Sequence, residues 1–226
     1  MTADSTTAIL LCAGSSARMG GEDKLWADLG GEPLIAHSLR TLASLDAIDV
    51  LVLVAPAQRH AMLRSLAGEV AAELRTAEGG ARRQDSVASG IAAAPDAAWY
   101  LVHDGARPLL STEVACRTLD AAQAHGAALP AVVVADTLKR VEDGGRILDT
   151  VDRIDLRAVQ TPQAFAGDLL RSAHAGSNED ATDDAMLVER LGEPVYAVEG
   201  DALNLKVTTP ADLALARALL ATERGE

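Results

Sequence analysis

The segment following Thr7–Leu11 reads Cys12-Ala13-Gly14-Ser15-Ser16-Ala17-Arg18-Met19-Gly20-Gly21-Glu22-Asp23-Lys24. Small residues after an apolar run let backbone N–H groups approach phosphate oxygens closely. Arg18 and Lys24 add positive charge at the same place. The chain lacks both GxxxxGK[ST] and GxGxxG, so this is neither a P-loop nor a dinucleotide fingerprint. An ordinary glycine turn with two surface bases fits the same residues. Two further polar clusters follow, Gly79 to Ser86 and Asp104 to Pro108. Asp104 is either a hard-oxygen ligand for a divalent metal or a turn aspartate. Arg107 either binds phosphate or pairs with a surface acid. Asn204 and Lys206 face one side if Leu203 to Val207 is a strand. Arg153 is a further phosphate-binding candidate. HExxH, CxxC and GxSxG are absent, and the five histidines show no metal-ligand spacing. His103 reads as a structural histidine.

These residues need a scaffold. Thr7 to Leu11, Val50 to Ala55, Trp99 to Val102 and Leu129 to Ala135 are apolar runs of strand length, and Val195 to Val198 is another. Helical patterns lie between them: Pro33 to Leu45, Pro56 to Leu66, Ser86 to Ala94 and Thr112 to His125, the last capped by Ser111. Further helices are expected near Asp168 to Ala175, Asp183 to Leu191 and Pro210 to Ala221. Continuous apolar strands alternating with helices give an α/β fold, a mostly parallel sheet flanked by helices on both faces. Ligands in such sheets sit at the carboxyl ends of the strands, where the polar clusters fall.

Asp136 to Arg157 breaks this rhythm. Gly144-Gly145 separates Lys139-Arg140-Val141 from Ile147-Leu148, which reads as a β-hairpin. With few apolar residues it projects from the sheet, as a surface flap or as an arm clasping a second subunit.

With 226 residues and no linker or repeat, residues 1–226 read as a single domain. Thirty-three acids against 20 bases give a net charge of −13, and aromatics make up 2% of the residues, which argues against nucleic acid as a partner. No apolar run approaches a membrane span, and the N-terminus lacks the basic region of a signal peptide. Two lone cysteines fit a reduced, cytoplasmic chain.

The series A-G-S-S-A-R-M-G…K, G-G-A-R-R-Q-D-S-V, H-D-G-A-R-P, D-T-L-K-R, V-D-R, Q-T-P-Q-A-F, T-D-D-A and N-L-K-V-T-T-P-A-D-L resembles, in order, the 2-C-methyl-D-erythritol 4-phosphate cytidylyltransferase family, from about Ala8 to Leu219. The resemblance implies a Rossmann-like nucleotidyltransferase fold, a Mg²⁺ requirement and a homodimer locked by a β-arm, here residues 136–157. It implies transfer of a cytidylyl group from CTP to methylerythritol phosphate in the non-mevalonate isoprenoid pathway. On this likeness, Arg18, Lys24, Arg153 and Lys206 are catalytic, and Asp104 holds the metal. Cys12, Ala13, Gly14, Gly80, Ala81, Ser86 and Asp104 bind CTP. Arg107, Thr137, Arg153, Thr161 and Thr182 surround methylerythritol phosphate, with Thr137 and Arg153 reaching the partner's site. The first loop departs from the family's P-A-A-G-x-G-x-R, and Asp23 stands where a proline is usual. R-M-G-x-x-D-K is also similar to the molybdenum-cofactor guanylyltransferases. A cytidylyltransferase for another polyol phosphate, such as ribitol 5-phosphate, and a non-catalytic nucleotide sensor are the remaining alternatives.

Overall fold

Strands form where apolar residues run unbroken, because both faces of each are covered. The computed structural model describes residues 5–13, 23–176 and 179–223. β1 (Thr6–Leu11) is buried along its whole length. A two-residue pair, β2 (Asp28–Leu29) and β3 (Glu32–Pro33), leads into α1 (Leu34–Ala43). Then come β4 (Val50–Val54), α2 (His60–Ala67), β5 (Glu73–Ala77), α3 (Arg83–Ala93), β6 (Trp99–Asp104), α4 (Thr112–His125) and β7 (Ala127–Val133). The hairpin is β8 (Leu138–Val141) and β9 (Ile147–Val151). β10 (Arg157–Val159), β11 (Gln163–Ala166), α5 (Gly167–Ala175), α6 (Asp184–Arg190), β12 (Tyr196–Glu199) and α7 (Pro210–Glu223) complete the order.

The main sheet runs β10-β7-β11-β6-β1-β4-β5, and β12 also pairs with β7. β5, β4, β1 and β6 are mutually parallel, as are β7 and β12. β11 lies antiparallel between β6 and β7, and β10 is antiparallel to β7. Alternation along the strands splits the core in two. Ala8, Leu10, Leu51 and Leu53 pack on one face against Ile35, Leu39, Leu63 and Leu213. Ile9, Leu11, Val52 and Val54 pack on the other against Val87, Ile91, Leu170 and Leu187. The mostly parallel α/β reading therefore holds.

Several boundaries differ from the sequence reading. α3 starts at Arg83, not Ser86, because the Asp85 carboxylate accepts the Arg82 N–H at 3.1 Å and caps the polar first turn. The Trp99 strand continues through His103 and Asp104, both buried. β7 begins at Ala127, two residues before Leu129. Leu203 to Val207 is not a strand. β5, with Glu73 and Arg75 alternating with Leu74 and Thr76, and the exposed β10 carry too little apolar residue to read as strands.

Among the described residues the hairpin pairs only with itself. Gly144 and Gly145 sit at φ 98° and 87°, where only glycine is unstrained. Val141, Ile147 and Leu148 are exposed on it.

A capping box starts α7. The Asp212 carboxylate accepts the N–H groups of Thr208 and Thr209, each at 2.8 Å, while Asp212 N–H donates to Thr209 Oγ1 at 3.2 Å. The bond from the Thr208 hydroxyl is the largest of the influences that lower the Asp212 pKa from 3.8 to about 2. Asp212→Ala is expected to cost about 1 kcal/mol at neutral pH. A depressed carboxyl stabilises above its unfolded pKa, and that contribution is lost as pH falls toward about 2. Urea melts should therefore separate wild type from variant at pH 7 and bring them together near pH 2. A constant gap across that range contradicts the cap.

Candidate active site

β1 and β6 end side by side, and the chain can turn there only because Gly105 has no side chain. A Cβ on Gly105 would lie 2.4 Å from Ile35 Cδ1 and 2.8 Å from Leu11 O. Across the first loop, a Cβ on Gly79 would lie 2.3 Å from Ala13 Cβ, so these backbones also meet closely. Ser86 Oγ accepts Gly80 N–H at 3.0 Å and donates to Arg82 O at 3.3 Å, which shapes the Gly79–Ala81 turn.

Two cavities, each about 170 Å³, open at these strand ends. The first is lined by Leu11, Ala13, Lys24, Leu25, Gly105 and Ala106. The second is lined by Arg107, Gln160, Thr161, Gln163, Thr182 and Asp183, among others. Arg83, Asp104 and Lys206 line both and form the wall between them.

The wall is an ion cluster. Asp104 Oδ1 accepts Arg83 Nε at 3.1 Å, and Oδ2 accepts Lys206 Nζ at 2.6 Å. Burial alone would raise the Asp104 pKa, but Arg83 and Lys206 hold it well below the ordinary carboxylate range. Arg83 also donates through Nη1 to Asp184 Oδ2 at 2.7 Å, and His174 Nε2 lies 3.0 Å from the other oxygen of Asp184. Asp184 is fully buried, yet Arg83 and His174 keep its pKa low against desolvation. Arg83 stays charged: desolvation works against it, and the two carboxylates outweigh that penalty.

The second cavity holds Arg107, whose guanidinium donates through Nη1 to Asn204 O at 2.7 Å. Asn204 Nδ2 donates to Thr161 O at 2.9 Å. Asn204 and Lys206 thus serve one site without a strand, through the turn at Asp201–Asn204. Asp183 caps α6, accepting Met186 N–H at 3.0 Å, and its other oxygen accepts Gln163 Nε2 at 2.8 Å. Two buried guanidinium nitrogens, Arg83 Nη2 and Arg107 Nε, have no hydrogen-bond partner among the described residues. A buried donor left unpaired is costly, and an anion in the cavity would supply the missing acceptor.

The structure brings Ala13, Lys24, Asp104, Arg107, Thr161, Thr182 and Lys206 onto the two cavities and Gly80 and Ser86 onto the turn next to Ala13, but not every expected residue. Cys12 commits its N–H to Val54 O at 2.7 Å and its thiol to Leu10 O at 3.4 Å, and burial pushes the thiol pKa up. Cys12 therefore offers a ligand no donor. Ala81 is exposed beside the turn. Thr137 and Arg153 are exposed on the arm and line neither cavity; Arg153 Nη1 donates to Val134 O instead. Gly14 and Arg18 lie outside the described residues. Arg83, Asp184 and Gln163 are site residues that single-residue reasoning missed, although each sits inside a motif quoted above. Among the described residues no three His, Cys, Asp or Glu side chains group to hold a metal, and no helix is long and apolar enough to cross a membrane.

Comparison with known proteins points the same way. The sequence model of the family described as IspD, 2-C-methyl-D-erythritol 4-phosphate cytidylyltransferase, matches residues 6–222. The enzyme of that name from Nocardia farcinica is 44% identical over 96% of this chain and 94% of its own. That from Dehalococcoides mccartyi is 41% identical over 94% and 95%. The crystal structure of the Thermus thermophilus enzyme superposes with a TM-score of 0.80 at 37% identity, covering 94% of this chain and 97% of the other. Two cavities sharing one charged wall, in a chain matched over nearly its full length, make this protein a member of the 2-C-methyl-D-erythritol 4-phosphate cytidylyltransferase family.

Proposed function

We propose that the wall of Arg83, Asp104 and Lys206 stands between the two substrates of the family reaction. In that reaction CTP and 2-C-methyl-D-erythritol 4-phosphate give 4-diphosphocytidyl-2-C-methyl-D-erythritol and pyrophosphate. CTP occupies the first cavity, with its base and ribose over the Ala13 and Gly79–Ser86 backbone. The acceptor phosphate enters the second. The observation that carries this reading is the set of three cations, Arg83, Arg107 and Lys206, that line the second cavity, two of them with a buried nitrogen that has no partner among the described residues.

The acceptor phosphate is already an anion, so no strong general base is needed. One of its oxygens attacks the α-phosphorus of CTP in line while pyrophosphate leaves on the far side. The protein positions the two groups and neutralises the charge that develops. Lys24, from the first cavity, and Arg18 stabilise the pentacoordinate phosphorus. Lys206 and Arg107 orient the attacking phosphate.

Asp104 suits a magnesium ion bound mainly through nucleotide phosphates. It is one ionised carboxylate facing the first cavity, and two of its roughly four acceptor positions are taken. A cation held by Asp104 would neutralise phosphate charge.

The same reading makes the protein a cytoplasmic homodimer. The exposed arm needs a partner surface. A cavity of about 490 Å³ near the sheet edge, lined by Ala131, Val133, Ala197 and Val198 among others, offers apolar area for one. Thr137 and Arg153 then act in the partner's site.

A pyrophosphate-release assay over CTP, UTP, GTP and ATP, each with methylerythritol phosphate and ribitol 5-phosphate, tests the function. Turnover is expected with CTP and methylerythritol phosphate. Preference for GTP, or for ribitol phosphate, would replace this reading with a sister activity.

A further inference from the structure

His103 is fully buried and lines neither cavity, yet both of its hydrogen-bond partners line the second, and through Thr161 it reaches Asp104 in the shared wall. Its Nε2 lies 3.2 Å from Arg107 O and its Nδ1 lies 3.1 Å from Thr161 Oγ1. A carbonyl oxygen can only accept, so Nε2 carries the proton. In a neutral ring Nδ1 is then the acceptor. Thr161 Oγ1 receives the Asp104 N–H at 3.1 Å, which frees its own proton for Nδ1. The bonds therefore run one way: Asp104 N–H to Thr161, Thr161 O–H to His103, His103 N–H to Arg107 O. Arg107 donates onward to Asn204 O, and Asn204 donates back to Thr161 O, which closes a ring of four residues. That ring ties the end of β6, the bend after β10 and the 204–207 segment. These segments carry Asp104, Arg107, Thr161 and Lys206.

We propose that His103, donating from Nε2 to Arg107 O and accepting at Nδ1 from Thr161, is the positioning residue that keeps the second cavity aligned with Asp104 in the shared wall. The proposal rests on the assignment of the cavities made above. Misplacing a reacting group by about 1 Å can cost roughly a hundredfold in rate, so a residue that touches no substrate can govern turnover. One consequence concerns Thr161. Its hydroxyl proton is committed to His103, so Thr161 gives the acceptor phosphate no O–H donor.

Two side chains separate the halves of the relay. In His103→Asn the amide oxygen can replace Nδ1 as acceptor for Thr161, while the bond to Arg107 O is lost. That carbonyl keeps its other donor, Ser38 Oγ at 3.1 Å. In His103→Gln the longer amide can reach Arg107 O, while the Thr161 hydroxyl, which receives the Asp104 N–H, loses the acceptor of its proton. His103→Asn is expected to keep kcat within about threefold and to raise the KM of the acceptor more than that of CTP. His103→Gln is expected to lower kcat by about tenfold or more, as a buried hydroxyl is left unpaired. Kinetics are read on the folded fraction, fixed by thermal melts. Equal kinetic constants in both variants, or losses that vanish after that correction, overturn the proposal. ¹⁵N NMR of histidine-labelled wild-type protein at pH 7 decides even if a variant fails to fold. A bare Nδ1 and a protonated Nε2 on His103 support the relay, and a proton on Nδ1 refutes it. Wild-type turnover of CTP with methylerythritol phosphate, run alongside, separates failure of this proposal from failure of the functional reading.

Discussion

Lys206→Ala is expected to lower kcat by about 10²–10³-fold, the usual effect of removing one preorganised donor from developing charge. Lys206 borders both cavities and lies 2.6 Å from Asp104, so its loss acts twice. The acceptor phosphate loses a cation. Among the described residues, Asp104 is left with Arg83 as its remaining ion-pair partner. Burial already favours the protonated form of Asp104, and two cations oppose it. With one removed, its pKa rises, so the acid limb of the pH–rate profile moves to higher pH in the variant. The KM for CTP should change less than kcat, because the interaction strengthens mainly in the transition state. The Lys206 side chain is 42% exposed, so the fold should survive its truncation. A kcat near that of wild type would remove Lys206 from the reaction.

The arm gives the second large effect. Arg18→Ala and Arg153→Ala should each be nearly inactive alone, and a mixture should regain activity. Arg153 lies on an exposed hairpin away from both cavities of its own chain. If it serves the partner's site, a mixed dimer collects both lesions in one site and leaves the other intact. Random exchange makes about half of the dimers mixed, so activity should approach about one quarter of wild type when sites act independently. Arg153→Lys should not substitute well, since the bidentate fork to phosphate is lost. Absence of recovery after verified subunit exchange would assign Arg153 to its own chain or to structure alone.

What the sequence reveals of the fold depends on how much apolar residue each element carries. β4 is an unbroken apolar run and β1 ends in one, Ala8 to Leu11, so both are legible at once. β5, β10 and the start of α3 are polar, and only tertiary pairing or a capping carboxylate makes them regular. Lys24, Asp104, Arg107 and Lys206 are legible because they follow apolar runs or fall in recognisable motifs. Arg83 is harder to find, because adjacent Arg82 and Arg83 look alike in sequence. Only the structure sends Arg82 to surface acids and Arg83 inward to Asp104 and Asp184. Likewise the two acids at the start of α6 divide their work: Asp183 caps the helix and Asp184 is buried against Arg83. His103 reads as structural because no metal-ligand spacing surrounds it. Its partners, Thr161 and Arg107, are 58 and 4 residues away, and the first of these contacts is invisible to local pattern.

In the proposed reaction the two substrates stand on opposite sides of one charged wall, and a single in-line displacement joins them. The most direct measurement is the stereochemical course at the α-phosphorus. A CTP analogue with one configuration of an α-phosphorothioate would be turned over with methylerythritol phosphate, and the product's configuration read by ³¹P NMR. A single attack by the acceptor phosphate inverts that centre. Retention would mean two displacements through a protein-bound nucleotidyl intermediate, and would contradict direct transfer across the wall.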